Sequence, residues 1–334
     1  MKKRIALVYG GASKEHDVSV KGYGYMRALL RDTEYEILPV YIGIDGGWTI
    51  RIRDKDTPAY PTRKGGGSLY TGYGFIKIDG VIPLLHGVGG EDGAIQGALE
   101  VTGIPYVGAR VCASAVCLDK YLTKTVARSL GIPTVDDVSF SGQADTEEAL
   151  SLCREKLGFP MFIKPRRLGS SVGAYPAWTE DDFRLHFDEA MSLGDNLVLV
   201  ERMLENKREL ECAFLESNGK RIITPPGEIL VDGFYGREEK YCGKTRLAPR
   251  AEVDNEISAR IQGYANILAE SLELRHLARI DFFLSGDEVY FNEVNTFPGF
   301  TGESLYPKML EANGIEPRAA ILSLIEDALG GRTL

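Results

Sequence analysis

Two acids and an amide late in the chain sit in a pattern suited to a hard metal ion. In Phe291-Asn292-Glu293-Val294-Asn295 an extended strand would put Phe291, Glu293 and Asn295 on one face. Upstream, Arg279 and Asp281 share a face in the same way. A three-residue connection through Gly286-Asp287-Glu288 would set Asp281 opposite Glu293 and Arg279 opposite Asn295, whereas a two-residue Gly286-Asp287 turn would separate the acids. Turn statistics favour the shorter loop and chemistry the longer one. Facing carboxylates repel unless a cation lies between them, and Asp281, Glu293 and Asn295 carry the oxygen donors that Mg²⁺ prefers when it bridges phosphates. The plainer alternative is a solvated edge strand that ends in the turn at Pro298-Gly299.

If magnesium is bound, phosphates need a cradle. Lys164-Pro165-Arg166-Arg167-Leu168-Gly169-Ser170-Ser171-Val172-Gly173 follows an apolar strand and offers a lysine, glycines and serines whose backbone N–H groups can turn toward an anion. It lacks the Walker A spacing, and the chain has no G-x-G-x-x-G, so a Rossmann dinucleotide site has no support. A plain hairpin is the competing reading. In Val200 to Glu211, Glu209 could accept from ribose hydroxyls and the backbone after Glu201 could read an adenine edge. Leu84 to Gly97 delivers His86 to a glycine-rich turn before a helix start, where free N–H groups favour a carboxylate. Gly10 to Ser19 repeats that arrangement and places Glu15 where a cationic amine could be held; an exposed capping acid is the bland alternative.

These residues need a large scaffold. The chain has 334 residues, 44% hydrophobic and 26% charged, enough for two or three modest cores. A net charge of -9 argues against a nucleic-acid partner, whose phosphates need a basic face, and leaves small molecules as the expected ligands. No apolar run approaches the roughly 18 residues that span a bilayer, so no membrane partner is expected. Met1-Lys2-Lys3-Arg4 runs into Gly10-Gly11 too soon for a signal peptide, and a cytoplasmic protein follows. The 5 cysteines are odd in number and contain no C-x-x-C pair, which fits reduced, structural thiols.

Arg4 to Tyr9 and Ile37 to Ile42 read as strands around a helix from about Asp17 to Leu30, a β-α-β opening with a parallel pair. Arg51 to Gly74 reads as loop or a weak hairpin. Val81 to Leu85 reads as a strand, and helices follow at Asp92 to Thr102 and Asp119 to Leu130, each closed by glycine and proline. The fold class is α/β, mixed with α+β, in three units spanning residues 1–133, 134–218 and 219–334.

Taken in order, GGASKEHDVS, HGVGGEDGAIQG, CLDKYLTK, KPRRLGSSVG, EKY, ARIDFF and NEVNTFPGF resemble the D-alanine–D-alanine ligase family of the ATP-grasp superfamily, from Lys3 to about Ile325. The resemblance implies a three-domain ATP-grasp architecture with a Rossmann-like N-terminal parallel sheet. It implies ATP held between the second and third domains, two Mg²⁺ ions for which Mn²⁺ can substitute, D-alanine as substrate and a homodimer. Matched position by position, Lys120, Lys164 and Ser171 would meet ATP phosphates, with Glu201 and Leu204 at the adenine and Glu209 at the ribose. Asp281, Glu293 and Asn295 would hold magnesium. Glu15 would hold the first substrate's ammonium, beside His86 and Glu91. Lys240 and Tyr241 would belong to a closing loop, with Tyr241 linked to Ser170 and Glu15. Arg279 and the Gly299 N–H would form an oxyanion hole, and Ser304 and Leu305 would line the second-substrate pocket. The chain departs from the family at Gly302-Glu303, where Ser-His is common, and at Gly236-Arg237. Within the family, a D-serine or D-lactate acceptor is the alternative to D-alanine; outside it, a non-catalytic ATP-binding regulator.

Overall fold

The computed structural model describes residues 2–204, 206–230 and 246–330. The chain opens with β1 (Arg4–Gly10), α1 (His16–Leu29) and β2 (Glu36–Ile42), then β3 (Trp48–Ile52), β4 (Lys55–Thr62), β5 (Ser68–Thr71), β6 (Gly74–Lys77) and β7 (Gly80–Pro83). These make a 7-stranded sheet in the order β6-β5-β4-β3-β2-β1-β7. Strand β1 pairs in parallel with both β2 and β7, as its unbroken apolar run requires of a strand covered on both faces.

The meander from β3 to β6 corrects the reading of Arg51 to Gly74 as loop or a weak hairpin. Each strand pairs antiparallel with the next. Only small residues, Thr57 and Ala59, are buried in β4, alternating with exposed polar ones and two prolines, so the apolar signal was weak.

Helices α2 (Ala94–Thr102), α3 (Val111–Leu118) and α4 (Lys120–Ser129) lead to a second sheet. It is built from β8 (Asp137–Ser141), α5 (Thr146–Lys156), β9 (Met161–Pro165), β10 (Tyr175–Ala177), α6 (Glu180–Leu193) and β11 (Leu197–Arg202). The strand order is β10-β9-β11-β8. Both helices start where the sequence caps them. Asp145 accepts from the N–H groups of Glu147 and Glu148, and Thr179 with Asp182 forms a reciprocal capping box. Phe183, Phe187 and Ala190 of α6 are fully buried against the sheet.

The third sheet contains β12 (Arg208–Ser217), β13 (Lys220–Ile223), β14 (Gly227–Leu230) and β15 (Arg246–Ala248), then α7 (Asn255–Ser271), β16 (Leu277–Ser285) and β17 (Glu288–Asn295). Helices α8 (Leu305–Ala312) and α9 (Pro317–Gly330) follow. The strand order is β15-β14-β12-β16-β17, with β13 on β12. Strand β12 is therefore central to this sheet, and the change of sheet falls between Arg202 and Arg208, ahead of the expected division at 218. One apolar core joins Ile5, Leu7 and Ile82 of the first sheet to Ala213 and Leu277 of the third and to Ile321 and Leu324 of α9.

Candidate active site

Three carboxylates form a row across the third sheet. Glu211 on β12 is in register with Asp281 on β16, and Asp281 with Glu293 on β17. One step along, Arg279 faces Asn295. The connecting turn is the two-residue Gly286-Asp287, since Ser285 pairs with Glu288, yet Asp281 still meets Glu293. The register shifts between Asp281 and Phe282, where Asn292 is an extra residue on β17. The expected need for a three-residue loop is thus corrected: a bulge supplies the missing step.

Like charges in one cross-strand row repel, and basic side chains are placed against them. Arg279 donates to both oxygens of Asp281, at 2.8 and 2.7 Å, and lies 3.2 Å from Glu211. Burial alone would lower the Arg279 pKa, but Asp281 and Glu211 outweigh it and raise it well above the ordinary value. Lys120 Nζ lies 3.3 Å from Glu293. Asn295 donates its amide N–H to Asp281 at 3.1 Å, which leaves the amide oxygen, a lone-pair group, to serve as a metal ligand. Two carboxylates and an amide oxygen fit a hard divalent cation.

Beside this row lies a cleft between the second and third sheets, walled by Lys164, Ser171, Glu201, Leu204 and Glu209 among others. Lys164 on β9 and Glu201 on β11 are buried and paired at 2.8 Å. The other oxygen of Glu201 meets Lys124 of α4. Burial opposes charge on Glu201, but Lys124 and Lys164 prevail and hold its pKa at about 2. The Glu201 carboxylate is therefore engaged by a lysine at each oxygen. Glu209 accepts from Lys207 at 2.8 Å. Ser170 and Ser171 both adopt left-handed backbone, φ 53° and 56°, a costly conformation for serine. This loop is tied down by Asp119, which caps α4 and accepts from Arg166 and Arg167.

On the other side of the row is a larger cavity, reached by Glu15, His86, Glu91, Gly299, Ser304 and Leu305. Glu15 does not cap its own helix; it accepts from Ser170 Oγ across 155 positions of sequence. It is wedged between Gly87 and Gly169, where a Cβ would approach its oxygens to 2.6 and 2.9 Å and push the carboxylate aside, and Gly87 at φ 68° also has a backbone that favours glycine. Glu91 accepts from the N–H groups of Gly87 at 3.0 Å and Phe297 at 3.1 Å, tying the His86 turn to the Pro298-Gly299 turn. Desolvation first, and then the charge of Glu15, push the Glu91 pKa up to about 7 against those two donors. The His86 ring lies edge-on to Phe297. Ser304 exchanges hydrogen bonds with Thr301 at the start of α8.

Lys120, Ser170, Arg279 and Glu293 line both spaces. Lys240 and Tyr241 lie outside the described residues. Sequence reasoning missed Lys124, Asp119 and Glu211. Lys124 follows Lys120 at helical spacing, and Glu211 follows Glu209 at strand spacing, so periodicity was the available signal.

Residues 4–109 match the family described as D-ala D-ala ligase N-terminus, and residues 126–326 match D-ala D-ala ligase C-terminus. A D-alanine–D-alanine ligase of Deinococcus radiodurans is 38% identical, covering 99% of this chain and 100% of that protein. One from Solibacter usitatus is 39% identical, covering 98% and 96%. Among solved structures, D-alanyl-alanine synthetase A of Vibrio cholerae superposes with a TM-score of 0.90 at 34% identity over 99% of this chain and 100% of that one. The VanG D-Ala:D-Ser ligase of Enterococcus faecalis gives 0.88 at 30% identity over 98% and 100%. With an ATP-grasp architecture and matches across both halves, the chain belongs to the D-alanine–D-alanine ligase family.

Proposed function

We propose that this protein joins two D-alanines into D-alanyl-D-alanine at the expense of ATP, making a precursor of peptidoglycan. The observation that carries the reading is the shared wall: Lys120, Ser170, Arg279 and Glu293 border both the cleft suited to a nucleotide and the cavity suited to an amino acid. A carboxylate is a poor electrophile, so its oxygen first takes the γ-phosphoryl group and ADP leaves. The amine of the second D-alanine then attacks the acyl carbon, loses a proton, and phosphate departs.

Each side chain has a task in this sequence. Glu15, steadied by Ser170, holds the ammonium of the first D-alanine beside His86 and Glu91. Lys120, Lys164 and the Ser170-Ser171 turn hold phosphates. Arg279, fixed by Asp281 and Glu211, and the Gly299 N–H stabilise the oxyanion of the tetrahedral adduct. Asp281, Glu293 and Asn295 would hold magnesium, which when bound neutralises phosphate charge. Leu204 and the backbone at Glu201 receive the adenine and Glu209 the ribose. Leu305, buried at the cavity wall, gives the second pocket an apolar side that suits a methyl group, and Ser304 a hydroxyl for the carboxylate. Lys240 and Tyr241 complete the closed site. A cytoplasmic homodimer fits this role, and among the described residues no helix is long and apolar enough to cross a membrane.

The test is incubation with ATP, Mg²⁺ and D-alanine, alone or with D-serine or D-lactate, followed by ADP measurement and mass spectrometry of products. One ADP per D-alanyl-D-alanine is expected. Absence of ADP formation overturns the reading, and predominance of a D-serine or D-lactate product overturns the choice of acceptor.

A further inference from the structure

We infer that Lys124 is a positioning residue for the nucleotide, neutralising Glu201 so that Lys164 keeps its charge for a phosphate. This rests on the reading that Lys164 faces ATP. Lys124 is fully buried on α4 and does not border the nucleotide cleft, whereas Lys164 does. Their common partner is Glu201: one carboxylate oxygen meets Lys124, and the other lies 2.8 Å from Lys164. Among the described residues Lys164 also makes a long contact, 3.5 Å to Asn292 Oδ1 at the bulge of β17.

Charge counting explains why the third member is needed. Glu201 with Lys164 alone would be a closed, neutral buried pair, and a phosphate approaching Lys164 would meet no net charge. Adding Lys124 leaves the cluster with one excess positive charge. Lys164 is the member at the cleft, so that excess is presented there. Lys124 also comes from the segment preceding the second sheet, so the cluster links α4 to β9 and β11.

The experiment measures binding of the magnesium complex of a non-hydrolysable ATP analogue by calorimetry, with KM for D-alanine beside it. Lys124→Met should weaken the analogue by about tenfold or more while KM for D-alanine changes little. The double variant Lys124→Met/Glu201→Gln removes one charge of each sign and restores the excess on Lys164, so analogue affinity should return to within about threefold of wild type. A purely packing role would give no such rescue. Lys164→Met tests the underlying reading separately: unchanged analogue affinity would show that Lys164 does not meet the nucleotide. If Lys164→Met weakens binding but Lys124→Met does not, or the double variant binds no better than the single one, the inference is overturned. Should Lys124→Met fail to fold, the double variant decides, and its own failure to fold or bind would make Lys124 structural.

Discussion

The cleft between the second and third sheets and the larger cavity beside it treat buried acids in opposite ways. In the cleft, Glu201 is outnumbered by Lys124 and Lys164, and its pKa is held at about 2. In the cavity, Glu15 and Glu91 stand near one another, supported by a serine hydroxyl and backbone N–H groups, and the Glu91 pKa rises to about 7. Each side thus carries the charge that its proposed guest would need: the cleft has positive charge for a polyphosphate, and the cavity has negative charge for an ammonium. The row of Glu211, Asp281 and Glu293 lies between them, where both demands meet.

Glu293 belongs to both sides, so its removal should have the largest effect. Glu293→Ala is expected to lower turnover by at least about 10³ with little change in melting temperature. Retention of a tenth of the wild-type rate at saturating Mg²⁺ would show that the two spaces do not communicate through this carboxylate. Arg279→Lys keeps the charge but loses the two-pronged bond to Asp281; kcat should fall about 10²–10³ with ATP affinity nearly unchanged. If ATP affinity falls and kcat does not, Arg279 belongs to the cleft alone. Glu15→Gln should divide the two sides cleanly, raising KM for the first D-alanine roughly tenfold while ATP-analogue binding stays within about twofold. Equal losses on both sides would mean that the Glu15–Ser170 link shapes the phosphate loop instead.

The smallest expected effect concerns stability. Glu91 has a raised pKa in the folded protein, so its stabilising contribution is complete below the ordinary carboxylate range and is lost as pH rises toward about 7. Glu91→Gln cannot ionise and escapes that loss. Relative to wild type, the variant should gain about 1–3 kcal/mol between pH 5 and pH 8, whatever its absolute stability. Denaturant unfolding at the two pH values measures this, and a variant whose deficit grows with pH would contradict the charge arrangement assigned to the cavity.

Residues that the fold brings together at the cleft and the cavity were legible in the sequence when they sat at strand ends or in glycine-rich turns, as with Asp281, Glu293 and Ser170. Their supporting partners were not. Lys124 looks like an ordinary helical lysine until folding brings it to Glu201, 77 positions away. The facing of Asp281 and Glu293 was one of two open registers, and the deciding device, a bulge at Asn292, leaves no mark in an alternation pattern. The β-α-β opening was plain from its apolar runs, whereas the β3–β6 meander buries little and was not. Helix α3, apolar around its whole circumference, shows no period to detect.

The core shared by β1, β7 and α9 has a consequence for how the protein is made. Strands β1 and β7 leave the ribosome early, but Ile321, Leu324 and Ile325, which pack against the same cluster, lie in a helix that begins only at Pro317. Vectorial synthesis therefore leaves one flank of the first sheet without its cover until almost all the described chain has emerged. The first sheet thus waits for a helix translated long after its own strands, and its apolar flank needs shelter in the interval.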